Sequence, residues 1–130
     1  MKKKQFVIFG NPVSHSKSPQ MHNAGLKYIN FDGEYIKHQL IDGNTIKEVF
    51  LQNNYSGANI TVPHKEYAYE NADEVRGLAK EIKAVNTYIN ENGKIIAYNT
   101  DAPGFLKAIE SFGEVKNVLL LGAGGTAKAI

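Results

Sequence analysis

Residues 57–65 read Gly-Ala-Asn-Ile-Thr-Val-Pro-His-Lys, a strand that ends at a proline and turns into a helix. Asn59 and Thr61 share one face of this strand because side chains alternate with a period of two. Pro63 has no N–H for a neighbouring strand, and helix-tolerant residues follow Lys65. An amide, a hydroxyl and an ammonium therefore meet at a strand-to-helix corner, where open α/β sheets bind small ligands. An ordinary βα turn fits the same residues.

The overall composition indicates one domain with its own core, since the chain has 130 residues and 42% of them are apolar. Fifteen basic against 13 acidic residues give a formal charge of +2, which is too balanced to indicate a nucleic-acid partner. Cysteine is absent and the four histidines show no ligand-like spacing, so we expect neither disulfides nor a metal site. The apolar run after the N-terminal lysines is too short for a signal peptide. We expect a cytoplasmic protein without a membrane partner.

Strand-like and helix-like segments alternate along the chain. The strands are predicted at 6–9, 34–41, 57–62, 84–90 and 94–98, and the helices at 19–29, 45–53, within 66–83 and from 102 onward. This order predicts a three-layer α/β domain with a mostly parallel, mixed sheet. Asn92-Gly93 is a hairpin signal, so one strand is expected to be antiparallel. In the first helix, one face collects apolar or small residues: Met21, Ala24, Gly25, Tyr28 and Ile29.

Four further polar residues allow both a structural and a functional interpretation. Ser14 and Ser16 precede a helix start at Ser18-Pro19, where hydroxyls and free N–H groups favour an anion such as a carboxylate, although a polar loop with a satisfied cap explains them equally well. Asn86 is an amide in an apolar strand and must find partners in the protein or in a ligand. Asp101 opens a helix, where Asp is among the best N-caps, so capping competes with a catalytic role.

The last segment carries a nucleotide-binding pattern. Residues 118–121, Val-Leu-Leu-Leu, predict a buried strand, and residues 122–127 read Gly-Ala-Gly-Gly-Thr-Ala. Between a strand and a helix, this pattern receives a pyrophosphate on bare backbone and a helix N-terminus. The candidate cofactor-binding residues are Gly122, Ala123, Gly124, Gly125 and Thr126. Only three residues follow the pattern, so the chain looks cut from a longer protein.

Five motifs in sequence closely resemble the shikimate dehydrogenase family. They are Ser14–Pro19 with His22-Asn23, then 59–65, 84–87, 99–104 and 122–125. The order and the spacing both match, and the resemblance covers essentially all 130 residues. Two positions depart from the pattern: Lys83 and Ala97 stand where the family usually has glycine, which puts only local backbone geometry in doubt.

The resemblance implies an oxidoreductase that reduces 3-dehydroshikimate to shikimate with NADP as cofactor, in aromatic amino-acid biosynthesis. Lys65 and Asp101 would be the catalytic pair. Ser14 and Ser16 would hold the substrate carboxylate. The ring hydroxyls would be bound by Asn59, Thr61, Asn86 and Asp101, with Lys65 beside them. The chemistry agrees, because an ammonium can stabilise the negative charge that grows on a ketone oxygen during hydride transfer.

The resemblance also predicts how the chain is divided. Residues 1–101 would form a substrate-binding domain, 102–116 a linker helix, and 117–130 the first strand and turn of a Rossmann-type NADP-binding domain. In the family, later helices with a tyrosine and a glutamine complete the pocket. We therefore expect the 130-residue chain alone to be inactive, with its last strand frayed or self-associated. Two alternatives are a quinate/shikimate dehydrogenase paralogue and a ligand-binding module without turnover.

Overall fold

The structure is a computed structural model that describes residues 3–130. Its six strands are β1 (Lys4–Gly10), β2 (Gly33–Gln39), β3 (Gly57–Ile60), β4 (Glu74–Val75), β5 (Thr87–Glu91) and β6 (Lys94–Tyr98). The helices are α1 (Ser18–Tyr28), α2 (Ile46–Gln52), α3 (Lys65–Asn71), α4 (Ala79–Ile82), α5 (Asp101–Ile109) and α6 (Gly125–Ala129), with 3₁₀ turns at Gly43–Thr45 and Glu110–Phe112. Among residues 3–130, no helix is both long and apolar enough to cross a membrane.

The strands form a single mixed sheet in the order β2-β1-β3-β5-β6-β4. Every neighbouring pair is parallel except the two that include β5, which runs against both β3 and β6. The β5–β6 hairpin turns at Asn92 and Gly93, whose φ angles of 56° and 87° suit a tight two-residue turn. The predicted mostly parallel sheet with one antiparallel strand is confirmed.

Helices cover both faces of the sheet, so the predicted three layers are confirmed. On one face, Val7 and Phe9 of β1 pack against Ile46 and Phe50 of α2 and against Ala68 of α3. The other face carries a smaller cluster of Ile8, Val13 and Tyr35. Phe6 of β1 and Leu26 of α1 pack against this cluster. Successive β1 residues enter opposite layers because strand side chains alternate.

The apolar stripe of α1 is not the face that packs on the sheet. The apolar stripe points outward, with most of the side chain exposed in Met21, Tyr28 and Ile29. His22 and Asn23 face the sheet instead: the His22 ring stacks on Tyr35 at 4.3 Å between centroids. Asn23 Nδ2 donates to the Tyr35 carbonyl, and Asn23 Oδ1 accepts from the Tyr35 N–H, both at 2.8 Å. The Tyr35 N–H and carbonyl lie on the side of β2 that has no neighbouring strand, so they need other polar partners. The Asn23 side chain of α1 provides both.

The buried strand predicted at 118–121 is not formed. The segment is exposed and forms no ladder in the described residues; it comprises Val118, Leu119, Leu120 and Leu121. A strand is held by the hydrogen bonds of its neighbour, and no strand of the described sheet runs beside this segment.

The short strand β4 was not predicted, because its two residues are too few to show a pattern. Asn86 was also placed inside a strand, whereas β5 begins after it.

Lys83 adopts a backbone conformation that suits glycine, with φ 56° and ψ 34°. This is one of the two positions where the resembled family usually has glycine. The left-handed conformation costs a residue with a Cβ about 1–2 kcal/mol. Lys83, which directly precedes the 84–87 motif, is therefore a position of local strain.

Lys83→Gly is expected to raise the free energy of unfolding by up to about 1 kcal/mol, because relief of this strain exceeds the added entropy of the unfolded chain. Lys80→Gly, at an exposed position inside α4, is the matched control and is expected to lower the same quantity by about 0.5–1 kcal/mol. Urea unfolding of both variants measures the difference. Equal destabilisation by the two substitutions would contradict the strain at Lys83.

Candidate active site at one edge of the sheet

The polar residues singled out from the sequence gather at one edge of the sheet. β1, β3 and β6 end there, and β5 begins there because it runs in the opposite direction. The loops at this edge are 11–17 after β1, 61–64 after β3, 84–86 before β5 and 99–100 after β6. The topology therefore brings together segments that are far apart in the sequence.

Lys65 and Asp101 form an ion pair in the centre of this edge. Lys65 Nζ donates to Asp101 Oδ2 at 2.7 Å and to Thr126 Oγ1 at 2.9 Å. The Lys65 side chain is 12% exposed and that of Asp101 is 27% exposed, so the pair is shielded but reachable. An ammonium has three N–H donors, and these two bonds leave one for a ligand. The arrangement can donate a proton to an oxygen that gains negative charge.

Asp101 does not cap helix α5, so the capping interpretation is wrong. Thr100 holds the N-cap position, and Asp101 is the first helical residue. Asn99 supplies the cap, since its Oδ1 accepts from the N–H of Asp101 at 2.9 Å and from that of Ala102 at 3.4 Å. Asn99 Nδ2 also donates to the buried carbonyl of Ala84 at 3.0 Å. With the cap provided by Asn99, the Asp101 carboxylate is free to face Lys65.

Asn99→Ala is expected to lower the free energy of unfolding by about 2–4 kcal/mol, because the helix loses its cap and the buried Ala84 carbonyl loses its donor. Asn99→Asp keeps an acceptor for the cap but removes the donor, so a loss of about 1–3 kcal/mol is expected. Urea unfolding compares the two. A near-native stability of both variants would show that the Asn99 side chain is not what fixes the start of α5.

Asn86 finds all its hydrogen-bond partners inside the protein. Its Nδ2 donates to Thr100 Oγ1 at 2.8 Å and to Asp101 Oδ1 at 3.0 Å. Its Oδ1 accepts from the Thr100 N–H and from Thr87 Oγ1, both at 2.9 Å. Of the two interpretations of this amide, the structure shows the one in which the partners lie within the protein. A ligand that binds Asn86 would have to displace one of these hydrogen bonds. Asn86 holds the second oxygen of the Asp101 carboxylate.

Asn59 and Thr61 lie on the β3 side of the edge. Asn59 Oδ1 accepts from the Tyr35 hydroxyl at 2.7 Å, while its Nδ2 makes only long contacts of 3.4 Å. Thr61 follows the last residue of β3 and packs closely on the end of β1: a Cβ added to Gly10 would lie 2.5 Å from Thr61 Cγ2. The Asn59 amide hydrogens are thus the weakly engaged donors of the site.

Ser14 and Ser16 lie in the loop that leads into α1. Ser16 Oγ accepts from the Ser18 N–H at 3.2 Å, so Ser18 is not the cap that the sequence predicted. Lys17 holds the N-cap position and Ser18 begins the helix. Lys37 Nζ donates to the Ser14 carbonyl, which places a cation beside this loop. Sequence reasoning missed Lys37, although it shares a face of β2 with Tyr35 at a spacing of two.

The candidate cofactor residues Gly122, Ala123, Gly124, Gly125 and Thr126 lie next to the ion pair. A cleft of about 480 Å³ separates part of this turn from the 62–66 corner. Gly125 is close-packed, since an added Cβ would lie 3.1 Å from Lys65 Cβ, and Gly122 has a φ of 131° that suits glycine. Bare backbone is therefore required where a dinucleotide would approach, which fits the predicted pattern.

A larger depression of about 1370 Å³ lies away from the ion pair, on the open sheet face beside α1. Its lining includes Phe6, Met21, Gly57 and Ile89, and it reaches the edge only at Asn59 and the residues around it. The candidate site is defined by the ion pair and not by either cavity, because Lys65 lines the smaller cleft while Asn59 lines the depression. In the described residues, no group of three or more His, Cys, Asp or Glu side chains is placed to hold a metal ion.

Comparison with known proteins finds relatives of this arrangement. A family described as the shikimate dehydrogenase substrate binding domain matches residues 8–88. A protein of Helicobacter hepaticus named shikimate dehydrogenase (NADP(+)) is 45% identical over 126 residues, which cover 96% of this chain and 47% of that protein.

Two solved structures share the fold. Shikimate dehydrogenase of Aquifex aeolicus matches with a TM-score of 0.90 and 40% identity over 98% of this chain and 50% of that one. The enzyme of Thermus thermophilus, solved in complex with shikimate, matches with a TM-score of 0.87 and 36% identity, again over 98% and 50%. The chain spans about half the length of the relatives that it matches.

Proposed function

This chain belongs to the shikimate dehydrogenase family, and from that premise we propose that it is the substrate-binding part of an enzyme that reduces 3-dehydroshikimate to shikimate with NADPH. The observation that carries the proposal is the Lys65–Asp101 ion pair at 2.7 Å, beside a glycine turn and at the edge where the sheet loops meet. We further propose that 1–101 is the substrate domain, 102–116 a linker helix and 117–130 the first part of the nucleotide domain.

In the proposed reaction, Lys65 supplies the proton. The substrate ketone oxygen accepts the third N–H of the ammonium, while Asp101 and Thr126 hold the other two. As hydride reaches the ketone carbon, negative charge grows on that oxygen, and the ammonium stabilises the charge and gives up a proton to it. Asp101 keeps the ammonium directed at the oxygen. The product is a secondary alcohol.

The remaining residues of the proposed site bind the rest of the substrate. Ser14 and Ser16 hold its carboxylate, which their place beside the start of α1 and beside Lys37 supports, because a helix N-terminus and a cation both favour an anion. Asn59 and Thr61 bind ring hydroxyls from the β3 side. Asp101 does so from the opposite side, together with Asn86, which exchanges one of its internal hydrogen bonds for the substrate.

The proposed cofactor is NADP, as the name of the Helicobacter hepaticus relative indicates for that protein. NADPH, when bound, supplies the hydride. The residues that would hold it are Gly122, Ala123, Gly124, Gly125 and Thr126. The close packing of Gly125 on Lys65 supports this assignment, because a glycine is needed to bring a cofactor loop this near to the proton donor.

Titration of the ¹⁵N-labelled chain with shikimate tests the substrate assignment. We expect shifts of the backbone and side-chain amide signals at 14–16, 59–65, 86 and 101, with signals of the α2 helix unchanged as an internal control. Shifts spread without preference, or none at millimolar shikimate, would contradict the proposal. Quinate in a parallel titration distinguishes the quinate/shikimate paralogue, which would bind both acids equally.

A turnover assay on the same sample tests whether the isolated chain is active. We propose that the 130-residue chain binds shikimate without reducing NADP, because hydride transfer requires a positioned nicotinamide. Turnover by the purified chain would refute this part of the proposal, whereas binding without turnover would support it.

A further inference from the structure

A series of side-chain contacts, all but one of them short hydrogen bonds, connects β2 to the ion pair. Tyr35 donates to Asn59 Oδ1 at 2.7 Å, and Asn59 Nδ2 approaches Thr87 Oγ1 at 3.4 Å. Thr87 Oγ1 donates to Asn86 Oδ1 at 2.9 Å, Asn86 Nδ2 donates to Asp101 Oδ1 at 3.0 Å, and Asp101 Oδ2 accepts from Lys65 at 2.7 Å. Tyr35 begins the series and lies outside every sequence motif that suggested the site.

The direction of these bonds is fixed at the Asn59 amide. Asn59 Nδ2 faces the carbonyl of Asn86, which can only accept, so the nitrogen of the amide must point that way. Asn59 Oδ1 is left facing Tyr35, whose hydroxyl therefore donates. Removing that hydroxyl leaves Oδ1 without its one short hydrogen bond, while the contacts of Nδ2 are too long to hold the amide.

Tyr35 itself is rigidly held. Its side chain is buried, its ring stacks on His22 with only 11° between the planes, and both of its backbone groups are bonded to Asn23. Burial raises the pKa of Tyr35 above its ordinary value, so the hydroxyl keeps the proton that it donates. Burial also lowers the pKa of His22, which favours the uncharged ring in the stack.

We infer that Tyr35 is a positioning residue: its hydroxyl fixes the Asn59 side chain so that the amide N–H groups face the substrate ring. The inference rests on the proposed function, in which Asn59 binds a ring hydroxyl. A fixed amide offers its N–H donors without paying to order the side chain upon binding, so the benefit appears as tighter substrate binding. Tyr35 takes no part in the proton transfer from Lys65.

Tyr35→Phe with Tyr55→Phe as matched control tests this. Tyr55 is equally buried, and within residues 3–130 its hydroxyl bonds only to the His38 ring, at 3.0 Å and away from the series. Each substitution removes one phenolic hydrogen bond, so both are expected to lower the melting temperature by a similar small amount. Tyr35→Phe alone is expected to weaken shikimate binding to the chain, by about two- to tenfold.

A second measurement needs no ligand. Three-bond couplings from the Asn59 Cγ to its backbone nitrogen and carbonyl carbon report the χ1 rotamer. We expect couplings of one rotamer in the unmutated chain and in Tyr55→Phe, and averaged couplings in Tyr35→Phe. Unchanged couplings in Tyr35→Phe would overturn the inference, whatever the shikimate result.

The two proposals fail in different ways. If the unmutated chain does not bind shikimate, the proposed function fails, and the Asn59 couplings still decide whether Tyr35 positions the amide. If the unmutated chain binds and Tyr35→Phe binds equally well, the function stands and Tyr35 has no positioning role. An equal loss of affinity in Tyr55→Phe would also overturn the inference, because it would reduce the effect to general destabilisation.

Discussion

Lys65→Ala is expected to lower turnover about 10²- to 10⁴-fold in a dehydrogenase that contains these residues, with a much smaller effect on the Michaelis constant. The ammonium acts mainly as charge develops on the ketone oxygen, so its removal raises the barrier more than it weakens the ground-state complex. Neither Asp101 nor Thr126 can replace it, because a carboxylate and an alcohol are poor proton donors at neutral pH. Steady-state kinetics with shikimate and NADP measure both constants.

Lys47→Ala provides the matched control for Lys65→Ala. Lys47 also pairs with an aspartate, Asp73, but on the α2 side of the domain and with a more exposed side chain. We expect near-normal turnover for this variant. If Lys65→Ala raises only the Michaelis constant and leaves turnover unchanged, Lys65 is a binding residue and the proposed proton transfer is wrong.

Asp101→Asn is expected to cut turnover by about 10²-fold or more, with little change in melting temperature. In the carboxylate, Oδ1 accepts from Asn86 and Oδ2 accepts from Lys65. An amide of the same shape has only one acceptor, so its NH₂ group must face one of these two donors. The ammonium also loses the negative charge that holds it in place.

Stability is expected to survive because the cap of α5 belongs to Asn99 and not to Asp101. Turnover and melting temperature of one Asp101→Asn preparation therefore separate the two roles. A variant with near-normal turnover would show that the carboxylate is only a favourable charge in the first turn of a helix. A variant that loses stability and turnover together would indicate that the ion pair supports the fold.

Local patterns were enough to predict most of the sheet. The β5–β6 hairpin follows from Asn92-Gly93, and the corner at Lys65 follows from a strand that runs into Pro63. Both signals lie within a few residues of the feature that they predict, so no distant contact is needed to interpret them. The boundaries of β6 were predicted to the residue.

Features that depend on distant partners were predicted poorly. The apolar stripe of α1 gave no sign that Asn23 would be needed by Tyr35, 12 residues away. The apolar run 118–121 has strand composition, but a strand also requires a neighbour. Lys65 and Asp101 are separated by 36 residues, and only the resemblance to a family linked their roles. The cap at Asn99 was missed because Asp101, two residues later, is an equally good capping residue by type.

The contact between Asn23 and Tyr35 also bears on aggregation. β2 is an edge strand, and an open edge offers a row of N–H and carbonyl groups to which a strand of another molecule can add. The Asn23 carboxamide occupies both groups of Tyr35 in the middle of that row, as a neighbouring strand would. The opposite edge, β4, is only two residues long. Both edges of the sheet are therefore protected against intermolecular strand addition. The Asn23 side chain occupies backbone groups of β2, and β4 is too short to pair extensively with another strand.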